Sequence, residues 1–294
     1  MPTISDLPIG AKLKFGAYSV SGEAPHKICW TKVHLDNTIL SEFIEDQCAF
    51  DAIETNNYDD CRNEYGNNRY SLSNVHQFLN AGGPNWFNPT HESDEPPEDR
   101  NMYNGRFGYN HKPGFTQSFE DWEIESIEVS EIRTALPETD IYERVGKCET
   151  IYEKIFMPSK TNVGLEPENG VQEGETWDLF AGDGAIRTAQ FSNELYDYSE
   201  NYDKPEFEGL SWYYYLRSPN ANTSSNVRCI RADGSCRYAN AYCDYIGIRP
   251  ALKLNPETLV SIDPDYDGYY EVYGVQQETV EIDENEFLSI LKKT

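Results

Sequence analysis

Three carboxylates at alternating positions, Asp263-Pro-Asp265-Tyr-Asp267, followed by Gly268, have the spacing of the first half of a calcium loop. In such a loop side-chain oxygens converge on one hard cation and glycine permits the turn. The twelfth position is Gly274 rather than the closing glutamate, although Glu271 is near, and no helical pattern flanks the segment. A Pro/Gly/Asp turn between Leu259-Val-Ser-Ile262 and Tyr269-Tyr-Glu-Val-Tyr273 is the stronger expectation, with calcium at Asp263, Asp265 and Asp267 the weaker one and no other cofactor indicated. Phosphate loops, the H-E-x-x-H zinc motif and the G-x-S-x-G elbow are absent. His26, His34, His76, His91 and His111 sit in no recognisable catalytic setting, and His76 falls on a helix pattern where a structural role is expected. Among 51 acidic residues some carboxylates must fall close together by chance, so no acid/base pair can be assigned. Seven cysteines, an odd and scattered set without C-x-x-C, point neither to a disulfide framework nor to zinc. No catalytic residue emerges, and a non-enzyme is expected.

Chemistry of another kind lies between Ser211 and Leu252. An aromatic run, Trp212-Tyr-Tyr-Tyr-Leu216, leads in, Ile246-Gly-Ile-Arg-Pro-Ala-Leu252 leads out, and Asn, Ser, Tyr, Cys and Arg crowd the interval. Tyrosine and arginine give large contact area, and Ser, Asn and Gly give adaptable hydrogen bonding, which is the composition of a paratope. Glu, Lys, Gln, Met and Trp make up 58 of the 294 residues, yet Ser218–Leu252 contains none of them. About seven would fall there at the chain's average. Those five residues are the ones that cannot arise when an Asn codon ending in a pyrimidine is altered only at its two adenines. Such alteration does produce Asn, Thr, Ser, Cys, Arg, Tyr and Asp, and it accounts for Cys229, Cys236 and Cys243 within one short segment.

The elements that must position this segment are short. Strands joined by turns are expected from Ile9 to His34, and an amphipathic helix from Ser71 to Leu79 with Ser71 or Ser73 as cap. Asn88–Pro113 reads as a long surface loop, and Phe119–Ile132 as a second helix or a helix turning into a strand. Tyr152–Phe156, Thr176–Phe180 and Ala185–Phe191 read as strands or single helical turns. The last residues place Phe287, Leu288 and Leu291 on one helical face with Lys292 and Lys293 at its end. The expectation is therefore one irregular α+β domain over residues 1–275, with many short strands, two or so helices and long loops, and a helical tail over 276–294. A net charge of −27 repels phosphate backbones and anionic lipid, so nucleic acid is excluded as a partner. No apolar run is long enough to insert in a membrane, and the start lacks a secretory signal, so a soluble chain not exported by that route is expected.

Trp212-Tyr-Tyr-Tyr-Leu-Arg-Ser-Pro-Asn220, Ala232-Asp-Gly-Ser235 and Gly247-Ile-Arg-Pro-Ala-Leu252 resemble a phage and Firmicute domain of unknown function, number 6273. Leu7-Pro-Ile-Gly-Ala-Lys-Leu-Lys-Phe-Gly16, Tyr65-Gly-Asn-Asn-Arg-Tyr-Ser-Leu-Ser73 and Ile155-Phe-Met-Pro-Ser159 also resemble stretches recurring in it, so the resemblance spans about residues 5 to 255. It implies a C-type-lectin-like fold and similarity to variable proteins of diversity-generating retroelements, whose scaffold displays a mutable face and whose phage members form trimeric receptor-binding tips. By that resemblance the variable, target-contacting residues are Asn220, Asn222, Thr223, Ser224, Cys229, Arg231, Cys236, Arg237, Tyr238, Asn240, Tyr242, Cys243 and Tyr245. Leu216, Val227, Ile230, Ile246, Ile248 and Leu252 are scaffold, and Trp212 fits core better than contact. The implied protein is a homotrimer on a phage tail or capsid, assembled in the host cytoplasm, whose partners are other virion proteins and a bacterial surface protein or glycan. Two alternatives stand beside it: a bacterial binding protein with a fixed ligand, and an oxidase on the same scaffold, for which no surrounding motif is seen. Within the segment Arg228, Arg231, Arg237 and Arg249 oppose Asp233 and Asp244, making the face about +2 on an acidic body. Sequencing the flanking DNA is expected to find a reverse transcriptase gene and an adenine-rich near-copy of the Ser218–Leu252 codons; the absence of both favours the fixed ligand.

Overall fold

In β1 (Lys12–Tyr18), Leu13 and Phe15 are buried while the alternating Lys12 and Lys14 are partly exposed, the period-two signature of a strand with one face on a core. The computed structural model describes residues 1–22, 24–141, 146–198 and 208–275. The helical tail expected over 276–294, with Phe287, Leu288, Leu291, Lys292 and Lys293, lies outside the described residues. β1 turns back through Gly16 to pair with β2 (His26–Lys32), and the register shifts between Lys14 and Ala17. Gly16 has φ +65°, and an added Cβ would sit 2.4 Å from the Phe119 ring, so both the bulge and that packing require glycine there.

The chain continues through β3 (Thr38–Ser41), β4 (Asp46–Gln47), α1 (Asp60–Tyr65) and α2 (Asn74–Leu79), then α3 (Asp121–Ser126), β5 (Ser130–Ala135), β6 (Cys148–Glu153) and β7 (Ile155–Phe156). After β8 (Ala189–Gln190) and α4 (Asn193–Tyr198) come β9 (Ser211–Trp212), β10 (Tyr214–Pro219), β11 (Asn226–Ile230), β12 (Cys236–Asn240), β13 (Gly247–Ile248), β14 (Ala251–Lys253), β15 (Thr258–Val260) and β16 (Tyr269–Val275). A seven-stranded sheet runs β15-β16-β1-β2-β3-β14-β7, antiparallel except where β1 lies parallel to β16. The first and last described strands are thus neighbours. A five-stranded sheet runs β12-β11-β10-β13-β4, and β5-β6 and β8-β9 form two small antiparallel pairs. One continuous core extends from Ile4 to Val272, and its largest fully buried side chain, Trp30, donates from Nε1 to the Phe15 carbonyl at 2.7 Å. No helix among the described residues is long and apolar enough to cross a membrane.

The mixed α+β class agrees with the sequence, with sheet predominant. The N-terminal strands form as expected. The helix over Ser71–Leu79 divides into a 3-10 turn at Tyr70–Leu72 and α2, whose cap is Ser73, accepting the His76 N–H. Phe119–Ile132 is a helix followed by a strand. Tyr152–Phe156 and Ala185–Phe191 hold strand pieces, and Thr176–Phe180 ends in a single 3-10 turn. Two or so helices are expected, and the described residues hold four α-helices, each of six residues. A helix of that length shows too little periodicity to announce itself; α1 is marked only by its cap Asp59, which accepts from the N–H groups of Cys61 and Arg62. Asn88–Pro113 is irregular as expected and in part exposed, but buried residues anchor it to the body. Tyr109 is fully buried, stacks on Trp86 and donates to the Ala49 carbonyl at 3.0 Å, and Lys112 is buried against Asp46 at 2.8 Å. Its few large side chains pull the polar chain inward.

Arg217, from the Leu-Arg-Ser-Pro stretch on β10, ties distant segments together. Its buried guanidinium donates to the carbonyls of Met157 at 2.7 Å, Glu173 at 2.5 Å and Arg133 at 3.4 Å, and to Asn162 Oδ1 at 2.8 Å. The adjacent Ser218 hydroxyl donates to the Glu173 carboxylate, which also accepts the Ala135 N–H at 3.0 Å. Burial pushes the Glu173 carboxyl up, against the opposing pull of Arg217. Arg217→Ala would leave these acceptors unpaired and the acid without its cation, and is expected to cost about 3–5 kcal/mol in urea unfolding, with Arg217→Lys recovering only part because it lacks the planar fork. A loss under about 1 kcal/mol would mean that the hub is not structural.

Candidate ligand-binding face

The segment singled out by composition forms the open end of the five-stranded sheet. β10 pairs with β11, and β11 pairs with the edge strand β12 in the register Asn226↔Asn240, Arg228↔Tyr238, Cys229↔Arg237. The connecting turn closes through Arg231 N to Ser235 O at 2.9 Å, and Asp233 accepts both the backbone N–H and the hydroxyl of Ser235. Asp233 is thereby satisfied within the turn. On the other side of β10, Gly247 begins β13, where an added Cβ would lie 2.3 Å from Ile44 Cγ2; the absence of a side chain lets β13 slide in beside Ile44.

What holds the irregular parts of the segment is a set of donors aimed at its carbonyl oxygens. The fully buried Asn68 gives its amide to the carbonyls of Thr223 and Asn226, both at 2.8 Å, and of Asn220 at 3.4 Å, and its N–H to Ser224 O at 3.1 Å. The Tyr215 hydroxyl takes Asn240 O at 2.7 Å and Cys243 O at 3.1 Å. Phe50 N and Asp51 N share Ala241 O, Tyr103 N takes Tyr242 O, and Gln47 Nε2 and Trp212 Nε1 share Tyr245 O. Behind Asn68, the buried Asp51 carboxylate accepts the N–H groups of Asn67 and Asn74; burial, with Glu54 and Asp94 nearby, pushes it well above the carboxylate range.

Beside β12 lies a concavity of about 620 Å³. Cys229, Ala239 and Ile246 line its depth, the first two from adjacent strands. Tyr213 and Tyr245 bring aromatic rings to it, and Arg231 and Arg237 bring guanidinium groups; the exposed Tyr238 borders it from β12, with its ring on the other face of the strand near the Arg228 guanidinium at 6.0 Å. Arg231 lies over the Tyr213 ring at 5.5 Å and donates to its hydroxyl at 3.3 Å. No carboxylate lines this concavity. Next to it Tyr103 meets Tyr242 and Tyr245 edge-on at 5.5 and 5.9 Å, and Tyr65 meets Tyr242 at 5.7 Å.

Of the thirteen residues expected to touch a target, Asn222, Arg237 and Tyr238 are exposed, and Thr223, Arg231, Cys236, Asn240, Tyr242 and Tyr245 are partly so. Asn220, Ser224, Cys229 and Cys243 are buried: Asn220 and Ser224 sit in the turn clamped by Asn68, and the two cysteines pack into the core. Burial pushes the Cys229 thiol up to about 12 and that of Cys243 up to about 11, so neither supplies a thiolate at neutral pH. Leu216, Val227, Ile230, Ile246, Ile248 and Leu252 are all buried, and Trp212 is a half-buried frame residue against Phe191. The charge count is also redistributed. Arg228 is held by Glu168 at 2.7 and 2.8 Å, Arg249 is buried on the Ser41 carbonyl at 2.7 Å, and Asp244 is buried beneath Asn104, which leaves Arg231 and Arg237 at the concavity. Asn68, Tyr103, Tyr65 and Gln47 were not foreseen; Asn68 and Tyr65 belong to the Tyr65–Ser73 stretch, and Tyr103 carries no signal in sequence.

The calcium alternative finds no support in the arrangement of its donors. Asp265 is occupied by Lys14 Nζ at 2.5 Å and by the N–H groups of Asp267 and Tyr269, and among the described residues no three His, Cys, Asp or Glu side chains converge as a metal site. The segment is the turn between β15 and β16.

Fold and face together define a mostly-sheet α+β protein that presents a cationic, aromatic concavity at a sheet edge. A family model described as a domain of unknown function, DUF6273, matches residues 36–256, and the chain belongs to that family. The matched span includes Asn68, Arg217 and the whole face but not the Leu7–Gly16 stretch. No curated protein and no solved structure matches the chain.

Glu168 offers a pH test of how the face is anchored. Burial would raise its carboxyl, but bonds from Arg228, Lys160 and the Ala221 N–H outweigh this and hold it below the ordinary range. A depressed carboxyl stabilises the fold above its unfolded pKa, and that contribution disappears as pH falls through the folded value. Glu168→Gln is therefore expected to lose about 1–3 kcal/mol at pH 7 in chemical denaturation, with the gap to wild type closing below about pH 4. A gap independent of pH would show that the charge contributes nothing.

Proposed function

We propose that this chain is a non-enzymatic binding protein, a phage virion component whose C-type-lectin-like scaffold displays a variable face to a protein or glycan of the bacterial surface. The observation that carries this reading is the grip on carbonyl oxygens. Asn68, Tyr215, Phe50, Asp51, Tyr103, Gln47 and Trp212 hold the segment by groups that every amino acid possesses. Side chains at Asn222, Arg237, Tyr238 and Tyr242 can then change without loosening the frame. The depletion of Glu, Lys, Gln, Met and Trp falls on the same stretch. The adjacency of β1 and β16 and the long irregular connections support a lectin-like reading of the scaffold. Display as a trimer alongside other virion proteins would turn modest single-site affinity into avidity. The high thiol pKa values of Cys229 and Cys243 weigh against an oxidase.

A second reading, a binding protein with one fixed ligand, is favoured by the burial of Asn220, Ser224, Cys229 and Cys243, which free variation at every proposed position would not preserve. Under either reading the face chooses the partner. Replacing Arg231, Arg237, Tyr238 and Tyr242 together by Ala is expected to change which bacterial strains the protein binds while moving Tm by no more than about 3 °C. Asn68→Ala, which orphans buried carbonyls, is expected to lower stability by about 1–3 kcal/mol. A quadruple variant that unfolds would make these positions core and end the proposal.

A further inference from the structure

The chain carries −27, and four other surface cavities formed by described residues are each lined by at least one carboxylate, among them Asp36 and Glu175, Glu166 and Asp183, Glu153, and Asp197 and Glu208. The concavity beside β12 has none, and two guanidinium groups stand at it. We propose that its ligand is an acidic glycan, a pyranose unit whose ring stacks on tyrosine while its carboxylate or phosphate is taken by Arg231 and Arg237. This rests on the binding function proposed above and narrows the ligand.

Three features favour that class. Guanidinium matches planar carboxylate and phosphate oxygens with paired N–H donors, and Arg231 is already oriented by Tyr213, so less freedom is lost when an anion docks. Tyr213 and Tyr245 offer apolar ring faces with hydroxyl tips, suited to a sugar ring that is apolar on its face and polar at its rim. The volume, about 620 Å³, lies within the range of roughly 300–1,000 Å³ typical of small-ligand sites. An acidic peptide is the competing occupant. A peptide adding to β12 would use the free backbone edge of that strand, whereas the concavity lies across β11, β12 and the Tyr245–Ile246 segment. That shape suits a compact ring.

The test is calorimetric titration of the full chain with hexagalacturonate, a phosphorylated mannohexaose, neutral maltohexaose and hexaglutamate. At least one acidic oligosaccharide is expected to bind about tenfold or more tighter than maltohexaose and hexaglutamate, and which of the two binds identifies carboxylate or phosphate as the anion. Arg231→Ala and Arg237→Ala should each weaken it about tenfold, Arg237→Lys less, and raising salt from about 50 to about 500 mM should weaken it further. Binding of neither acidic oligosaccharide, equal binding of maltohexaose, equal binding of hexaglutamate, or indifference to both alanine variants overturns the proposal. Whole-cell binding by the same variants separates the two levels. If they lose cells while no acidic oligosaccharide binds, the face stands and the ligand class falls; if they bind cells like wild type, the face itself falls.

Discussion

Short strands leave many carbonyl oxygens without a ladder partner, and a buried carbonyl that lacks a donor costs about 1–3 kcal/mol. Much of this structure is organised around meeting that demand with side chains. Arg217 serves three carbonyls and Asn68 three more. Lys32 is buried with its ammonium on Ile4 O and Leu7 O at 2.8 and 2.9 Å, Arg187 bonds the carbonyls of Val163, Gly164 and Ala185, and Asn80 takes Ile155 O. Ordering a long side chain costs up to about 2 kcal/mol of rotamer entropy, so a donor that serves two or three carbonyls yields a net gain where one serving a single acceptor barely would. Multidentate side chains are accordingly found at the joints.

The same device separates frame from face. A clamp on a side chain specifies that side chain, as Glu168 does for Arg228. A clamp on a carbonyl specifies only where the backbone runs. Between Asn220 and Ile246 the contacts from the frame are mostly of the second kind, so the path of the chain is set by residues outside the segment and its exposed surface chemistry by residues inside it. Burial marks the boundary: Cys229 and Cys243 have crossed into the core and are answerable to packing, whereas Arg237 and Tyr238 are exposed on the edge strand.

How much of this was legible in sequence follows from the range of each interaction. Strand alternation in Lys12–Tyr18 and the Ser73 cap are local and could be read directly. The candidate segment was visible through composition, and its inward-facing apolar positions through their spacing. Burial of Asn220 and Ser224 was not visible, because it depends on Asn68, some 150 residues away, reaching across to them. The packed state of Asn88–Pro113 was hidden for a similar reason: Tyr109 and Lys112 look like isolated residues in a polar loop until Ala49 and Asp46 supply their partners. The Asp263–Gly268 pattern read as a turn first and a calcium loop second, and calcium stayed open because sequence cannot show that Lys14 already occupies Asp265.

Charge illustrates the point most sharply. The global −27 says that the body repels anions, yet electrostatics between exposed groups fades beyond about 8 Å at physiological salt. What a ligand feels on contact is therefore decided by the nearest groups. At the concavity these are Arg231 and Arg237, while the acids of the segment are withdrawn, Asp233 into its own turn and Asp244 beneath Asn104. Under the proposed function, an acidic body with a locally cationic mouth would discourage nonspecific contact with an anionic cell envelope at long range and accept an anion only where the geometry lets it reach both guanidinium groups. Specificity for such an anion would then reside in the placement of two side chains, one braced by the Tyr213 ring and the other on an exposed edge strand, rather than in the sum of the protein's charge.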